Sequence, residues 1–381
     1  MTRLSCLLIA LSTFLSPSVA SAEPYLPSDE SQVLERLPEA PASALRQRLS
    51  QDPTNLGLAV ELAQSYISAA RAEGDPRYNG YAQAALSPWW QDAAPPIPVL
   101  VLRATLRQNR HDFAAALADL DQVLARRPDH SQARLTRAVI LQVQGRYGEA
   151  ATSCRYLRGL VAATCAAESA SLSGRLDDSY EALRRAFQSA GSSAPPEIRL
   201  WGQTVLAEMA ERRGDGQSAE RHFRTALALG LPDAYLIGAY SDFLLAQDRA
   251  DEVLDLIPEA PRPDGLLLRR ALAERALGRP PMLAALEARF AASRRRGDSA
   301  HQRAEARYRL DLLGHAEAAL TLARDTWRVQ REPWDARLLL RAALAAGRPE
   351  AAREVLAWLE ATGLEDVRLA ALAARLKAPA S

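Results

Sequence analysis

The side chains able to do chemistry are few, and their spacing excludes most of what they could do. There are five histidines: His111, His130, His222, His301 and His315. No two stand four residues apart. None lies in a His-Glu-x-x-His run, which would put two zinc ligands and a base on one helix face. The three cysteines, Cys6, Cys154 and Cys165, form no Cys-x-x-Cys pair, so a four-cysteine zinc site is excluded. No Gly-x-Ser-x-Gly turn presents a nucleophilic serine. The only lysine is Lys377, near the end of the chain, so there is no phosphate-binding Gly-Lys loop. Carboxylates are plentiful, and spacing alone singles out no acid–base pair. The sequence therefore predicts no enzyme, no metal and no cofactor.

The elements that must position these residues are helical. About a fifth of the 381 residues are alanine, nearly all the positive charge is arginine, and aromatics are only 6%. Alanine and arginine favour helix, and runs of Val, Ile and Thr are nearly absent. The formal net charge of +1 argues against a nucleic-acid binder. Residues 1–22 read as a secretory signal peptide: Arg3, then an apolar stretch from Leu7 to Leu15, then Ala20-Ser21-Ala22 as a cleavage site. The apolar run is short for a spanning helix of ~20 residues. The expected mature chain is soluble and periplasmic, with no direct membrane insertion. It carries 46 basic and 46 acidic groups once Arg3 is removed from the 47.

Export also removes Cys6 and leaves Cys154 and Cys165, eleven residues apart around a turn at Arg158-Gly159. Two cysteines in an oxidising compartment are a candidate disulfide. If one helix ends and the next begins there, both sulfurs sit at similar depth, within the ~5.5–6 Å Cα spacing such a bond needs. The competing reading is a pair of buried free thiols among small residues.

A repeat governs the rest. One clean unit is residues 132–150, a helix containing Ala138 and Leu141, a Gly145-Arg146-Tyr147 turn, and a second helix with Ala150. Gly145 suits a left-handed C-cap. The punctuation returns at Gly174, Gly214, Asp248 (a degenerate copy), Gly278, Gly314 and Gly347, at spacings of 29, 40, 34, 30, 36 and 33. These scatter around the ~34 residues of a tetratricopeptide unit. Over most of residues 53–376 the chain resembles the tetratricopeptide repeat family. The resemblance implies an all-α fold, a right-handed superhelix of stacked antiparallel helical hairpins, each burying its apolar face on its neighbours. Residues 1–22 are read as the signal peptide, 23–52 as an N-terminal tail and cap, 53–364 as the array, and 365–381 as a capping helix and tail. Ser87-Pro88-Trp89-Trp90 and Pro95-Pro96-Ile97-Pro98 are read as one elongated inter-repeat loop.

In such superhelices the first helix of each hairpin lines the concave groove. Counting back from each turn, its solvent-facing positions include Gln142, Glu168, Glu208, Asp242, Glu305, Tyr308 and Asp311, most of them acidic. They form either a mildly negative groove for a basic or amide-rich protein segment or, more plainly, a solvated helix face. The basic pairs Arg126-Arg127, Arg184-Arg185, Arg212-Arg213, Arg269-Arg270 and the run Arg294-Arg295-Arg296 stand near helix C-termini, where positive charge complements the helix dipole. An anion-binding patch is the competing reading. Trp201, Trp327 and Trp358 are expected to pack between repeats, whereas Trp334 and Trp89-Trp90 fall on connections. The expected role is a non-catalytic scaffold taking a protein or peptide segment in the groove, with a membrane-bound protein among the possible partners. The alternative is a cell-wall enzyme or an accessory subunit of one. A buried glutamate in a substrate-sized cleft would mark it.

Overall fold

The computed structural model describes residues 42–190, 193–259, 261, 263–295 and 302–377. The expected signal peptide and most of the expected N-terminal tail lie outside them, as do Arg296 and His301. Among the described residues every element is helical. In chain order the helices are α1 Ser43–Gln51, α2 Leu56–Glu73, α3 Arg77–Ala85, α4 Ser87–Trp90, α5 Ile97–Asn109, α6 Phe113–Arg126, α7 Ser131–Val143, α8 Tyr147–Cys154, α9 Gly159–Ser171 and α10 Leu176–Ala190. There follow α11 Pro196–Arg212, α12 Gly216–Leu227, α13 Ala234–Ala246, α14 Ala250–Leu256, α15 Asp264–Ala276, α16 Leu283–Arg295, α17 Gln302–Asp311, α18 Ala316–Val329, α19 Pro333–Ala345, α20 Arg353–Thr362 and α21 Val367–Lys377. None is long and apolar enough to cross a membrane.

The apolar spacing decides the pairing. In α6, Phe113, Ala116, Leu120 and Val123 are buried on one face, the i, i+3, i+7 stripe of a half-buried helix. Ala219, Phe223 and Ala226 repeat it in α12. Neighbouring helices pack pairwise, and α5, α7, α9, α11, α13, α15, α17 and α19 pack in series as an inner layer, with their partners outside. The turns follow the punctuation. Gly145, Gly174, Gly214, Gly278, Gly314 and Gly347 all have φ between +65° and +79°, and Asp248 takes the same conformation at +57°. An aspartate tolerates this left-handed region better than most residues, at some cost relative to glycine. Several inner helices are capped by a side chain: Asn55, Asp233 and a Glu332–Asp335 capping box.

The proline-rich connection is shorter than expected. Pro88, within the first turn of α4, and Pro98, within the first turn of α5, both sit where a missing N–H costs nothing, so each starts a helix. Trp89 and Trp90 pack partly buried on the α2–α3–α5 core. Cys154 and Cys165 are joined by a disulfide with a Cα separation of 5.6 Å, tying the end of α8 to α9.

The solenoid winds tightly enough for successive turns to touch. Arg71 on α2 pairs with Asp233, the cap of α13, at 2.9 Å. The Arg331 N–H donates to the Val143 carbonyl at 2.7 Å, and the Tyr147 hydroxyl donates to the Arg331 carbonyl. Tyr147 therefore packs on α18 and α19 rather than back over its own turn. Glu365 accepts from the Leu176 N–H at 2.7 Å. Gly174 and Gly363 cross so closely that a Cβ on Gly174 would stand 3.2 Å from the Gly363 carbonyl oxygen. The α19 end of the array thus covers part of the inner face built by α7 to α13.

Candidate functional site

What remains of the inner face is two small cavities that share a wall. The first, about 170 Å³, lies among α13, α15, α17 and α19. The second, about 120 Å³, lies among α7, α9, α11 and α13, closed by the start of α19 and by Arg368 of α21. Tyr235, Glu332 and Trp334 line both. Tyr235 is 60% exposed although it stands on an inner helix, and its hydroxyl donates to Glu208 at 2.6 Å.

Ion pairs fix the first cavity. Asp242 is buried and accepts from Arg269 and from Arg307 at 2.5 Å each. Burial works to raise its carboxyl, but the two guanidinium groups outweigh it and hold Asp242 below the usual range. Arg269 also donates to the Gly238 carbonyl at 2.9 Å, where the absent Cβ leaves room for the guanidinium. Arg303 binds Asp335 in bidentate fashion at 2.6 and 2.8 Å and also reaches Glu332. Arg341 binds Asp311 at 2.6 Å. Arg337 stacks on the Trp334 ring with its guanidinium carbon 3.6 Å from the centroid. Burial, reinforced by the charge of Arg368, lowers its value to about 10.

The second cavity holds carboxyls with raised values. Glu168 is pushed up to about 8, first by burial and then by the charges of Glu208 and Glu332, against the pull of Arg212. Burial pushes Glu208 up to about 7, opposed by the hydrogen bond from Tyr235. Glu211 is raised by burial although it pairs with Arg368. Arg212 is buried and spends its donors on the Ser171 carbonyl at 2.9 Å and hydroxyl at 2.6 Å.

The positions read as solvent-facing therefore divide. Glu168 and Glu208 line the second cavity, and Asp311 pairs across the inner face. Gln142 is buried, donating to Ser169 at 2.7 Å, because α9 packs directly over it. Asp242 is buried and neutralised. Glu305 is buried and turned outward, pairing with Arg294 of α16 and Arg309. Tyr308 is a core residue beside Phe290. The expected negative groove is thus corrected: tight winding buries or pairs these acids. The basic doublets divide as well. Arg212 and Arg269 serve buried hydrogen bonding rather than the helix dipole. Trp334 stands inside α19 and lines both cavities. His222 is packed between Tyr180 at 3.0 Å and Gln203 at 2.7 Å and lowered to about 4 by burial and Arg221, a neutral bridging group.

Reading the sequence missed Tyr235, Arg303, Arg307, Glu332 and Arg337. The available signal was Glu332-Pro333-Trp334-Asp335, a helix start carrying an indole, with arginines four apart at 303/307 and 337/341 on two inner helices. Among the described residues no cluster of His, Cys, Asp and Glu could hold a metal ion.

The architecture is that of a tetratricopeptide-type helical solenoid. No family model matches the chain, and no curated protein matches it significantly. Among solved structures it is similar to the Cut9–Hcn1 hetero-tetramer of the APC/C, at 12% identity and a TM-score of 0.37, covering 88% of this chain and 51% of that one. It spans about half the length of that chain. It is also similar to a tetratricopeptide repeat protein from Parabacteroides merdae, at 14% identity and a TM-score of 0.31, over 78% of this chain and 90% of that one. Yeast Tom70 is similar at 12% identity and a TM-score of 0.31, over 88% and 95%. These likenesses are loose, and the hairpin geometry described above stands without them.

Proposed function

We propose that this protein is a non-catalytic binding scaffold of the periplasm, which engages a protein partner at the mouth of its inner face. The observation that carries the reading is Tyr235. A large aromatic is left 60% exposed where two cavities meet, on a helix otherwise packed or ion-paired. Aromatics held rigidly at the centre of a concave surface are the residues on which partners anchor. The flanking pairs of Asp242, Arg303 and Asp311 hold the surface in one arrangement, which reduces the ordering cost of association.

A catalytic reading has one observation in its favour: Glu168 and Glu208 are carboxyls raised toward neutrality beside a cavity, as general acids often are. The cavity beside them, about 120 Å³, is far smaller than the cleft a cell-wall polymer would need. The scaffold reading is therefore preferred.

The test is photocrosslinking in intact cells with a photoreactive residue at Tyr235 and, as a control, at exposed Tyr156 in the α8–α9 connection, which lines neither cavity. A discrete adduct from position 235 alone supports the reading and identifies the partner. Only self-adducts, or equal adducts from both positions, would overturn it.

A further inference from the structure

Charge pairing around the first cavity leaves one cation over. Five arginines line it: Arg269, Arg303, Arg307, Arg337 and Arg341. The carboxylates that meet them are Asp242, Asp311, Glu332 and Asp335, and each accepts from Arg269, Arg303, Arg307 or Arg341. Among the described residues none accepts a hydrogen bond from Arg337. Glu211 and Asp242, the acids whose charge acts on it, are taken by Arg368 and by Arg269 and Arg307. A partly buried guanidinium without a carboxylate costs a fold stability, and an anionic ligand would supply the missing charge.

The surroundings of Arg337 narrow the chemistry. One face of the guanidinium is covered by the Trp334 indole, which leaves the edge bearing the N–H fork for hydrogen bonding. Beside the paired arginines and the carboxylates of Asp242 and Glu332, the wall carries an apolar part: Ala239, Leu268, Ala304 and Leu338. The volume, about 170 Å³, is the share of roughly five or six water molecules. One surplus positive charge suits a monoanion better than a dianion such as phosphate. An apolar wall suits an anion with a carbon body better than a bare inorganic ion. We propose that this cavity binds a small free organic acid, with the Arg337 fork holding the carboxylate and Trp334, Leu268 and Leu338 enclosing its short apolar body. Burial, which already depresses the Arg337 value, would be offset by the bound anion. This ligand is independent of the protein partner proposed above, and its test does not involve that partner.

The experiment is isothermal titration calorimetry of the full mature protein with sodium butyrate, butylamine, inorganic phosphate, and trialanine with its C-terminal amide. The expected result is saturable binding of butyrate, none of butylamine, and weaker binding of phosphate. Arg337→Gln should weaken butyrate about tenfold or more, because the two-point contact is lost. In the absence of butyrate the same variant should be no less stable than the parent, since it removes a partly buried charge that no carboxylate meets. Should Arg337→Gln not fold, Arg337→Lys keeps the charge without the fork and should also weaken butyrate strongly. The proposal is overturned by absent or non-saturable butyrate binding, by unchanged affinity in the folded variants, or by phosphate binding the tighter of the two. It is also overturned if trialanine binds and butyrate does not, which would make the occupant a chain terminus.

Discussion

Replacing Glu168 with glutamine should flatten the pH dependence of stability. The carboxyl stands beside the second cavity, its value raised from an ordinary 4.5 to about 8 by burial and by Glu208 and Glu332. A raised carboxyl means that the folded state holds its proton more tightly than the unfolded chain. Stability is therefore greatest at or below about pH 4.5 and declines as pH rises toward 8, since the unfolded chain gives up the proton first. The full interval corresponds to roughly 5 kcal/mol at ~1.4 kcal/mol per pH unit. Glu168 is only half-buried, and water in the cavity screens part of this, so about 2 kcal/mol is the expected size. For a helical array of this length the unfolding entropy is about 0.7 kcal/mol per degree, which turns that into ~3 °C. Glu168→Gln is close to isosteric and removes the titration. Thermal unfolding from pH 5 to 9 at fixed ionic strength should give equal midpoints at pH 5, and a variant higher by ~3 °C at pH 9. Parallel pH profiles, or a variant less stable at pH 9, would refute the argument that this carboxyl is held neutral by its surroundings.

Three further outcomes follow from other parts of the fold. Asp242→Ala strands Arg269 and Arg307 together and should cost about 3–5 kcal/mol, read by urea unfolding; a loss under 1 kcal/mol would contradict the pairing. Gly174→Ala combines a φ of +75° with a 3.2 Å approach to the Gly363 carbonyl oxygen and should cost about 1–3 kcal/mol, whereas Gly278→Ala, with open space around it, should cost only the backbone part. Reducing the Cys154–Cys165 bond, or replacing both with serine, should cost about 2–3 kcal/mol for an 11-residue separation, and mass measurement of the protein after thiol alkylation checks that the bond forms.

The hairpin architecture was legible in the sequence because it is local. A helix, a left-handed turn and a second helix need only an apolar stripe and a residue that tolerates positive φ. Both are written within each unit, so even the degenerate Asp248 turn was found. The disulfide was legible for the same reason, since eleven residues across one hairpin turn bring the two Cα atoms to 5.6 Å. The inner face was not. Which side chains remain open there depends on how tightly the array winds, and winding accumulates small rotations at every hairpin interface. No single interface in the sequence encodes that sum. It brought Arg331 to Val143 and Gly363 to Gly174, close to two hundred positions apart, and filled a groove that each unit alone would leave open. The same contacts buried Gln142 and Asp242, turned Glu305 and Tyr308 away from the inner face, and brought Tyr235 of α13 to Trp334 and Arg337 of α19. The sequence alone determined helices, turns and covalent link, because short-range sterics and burial specify them. Only the tertiary structure decided which charges are paired, which are held neutral and that, among the described residues, Arg337 of the first cavity meets no carboxylate, because those depend on distances between units that the chain sets collectively.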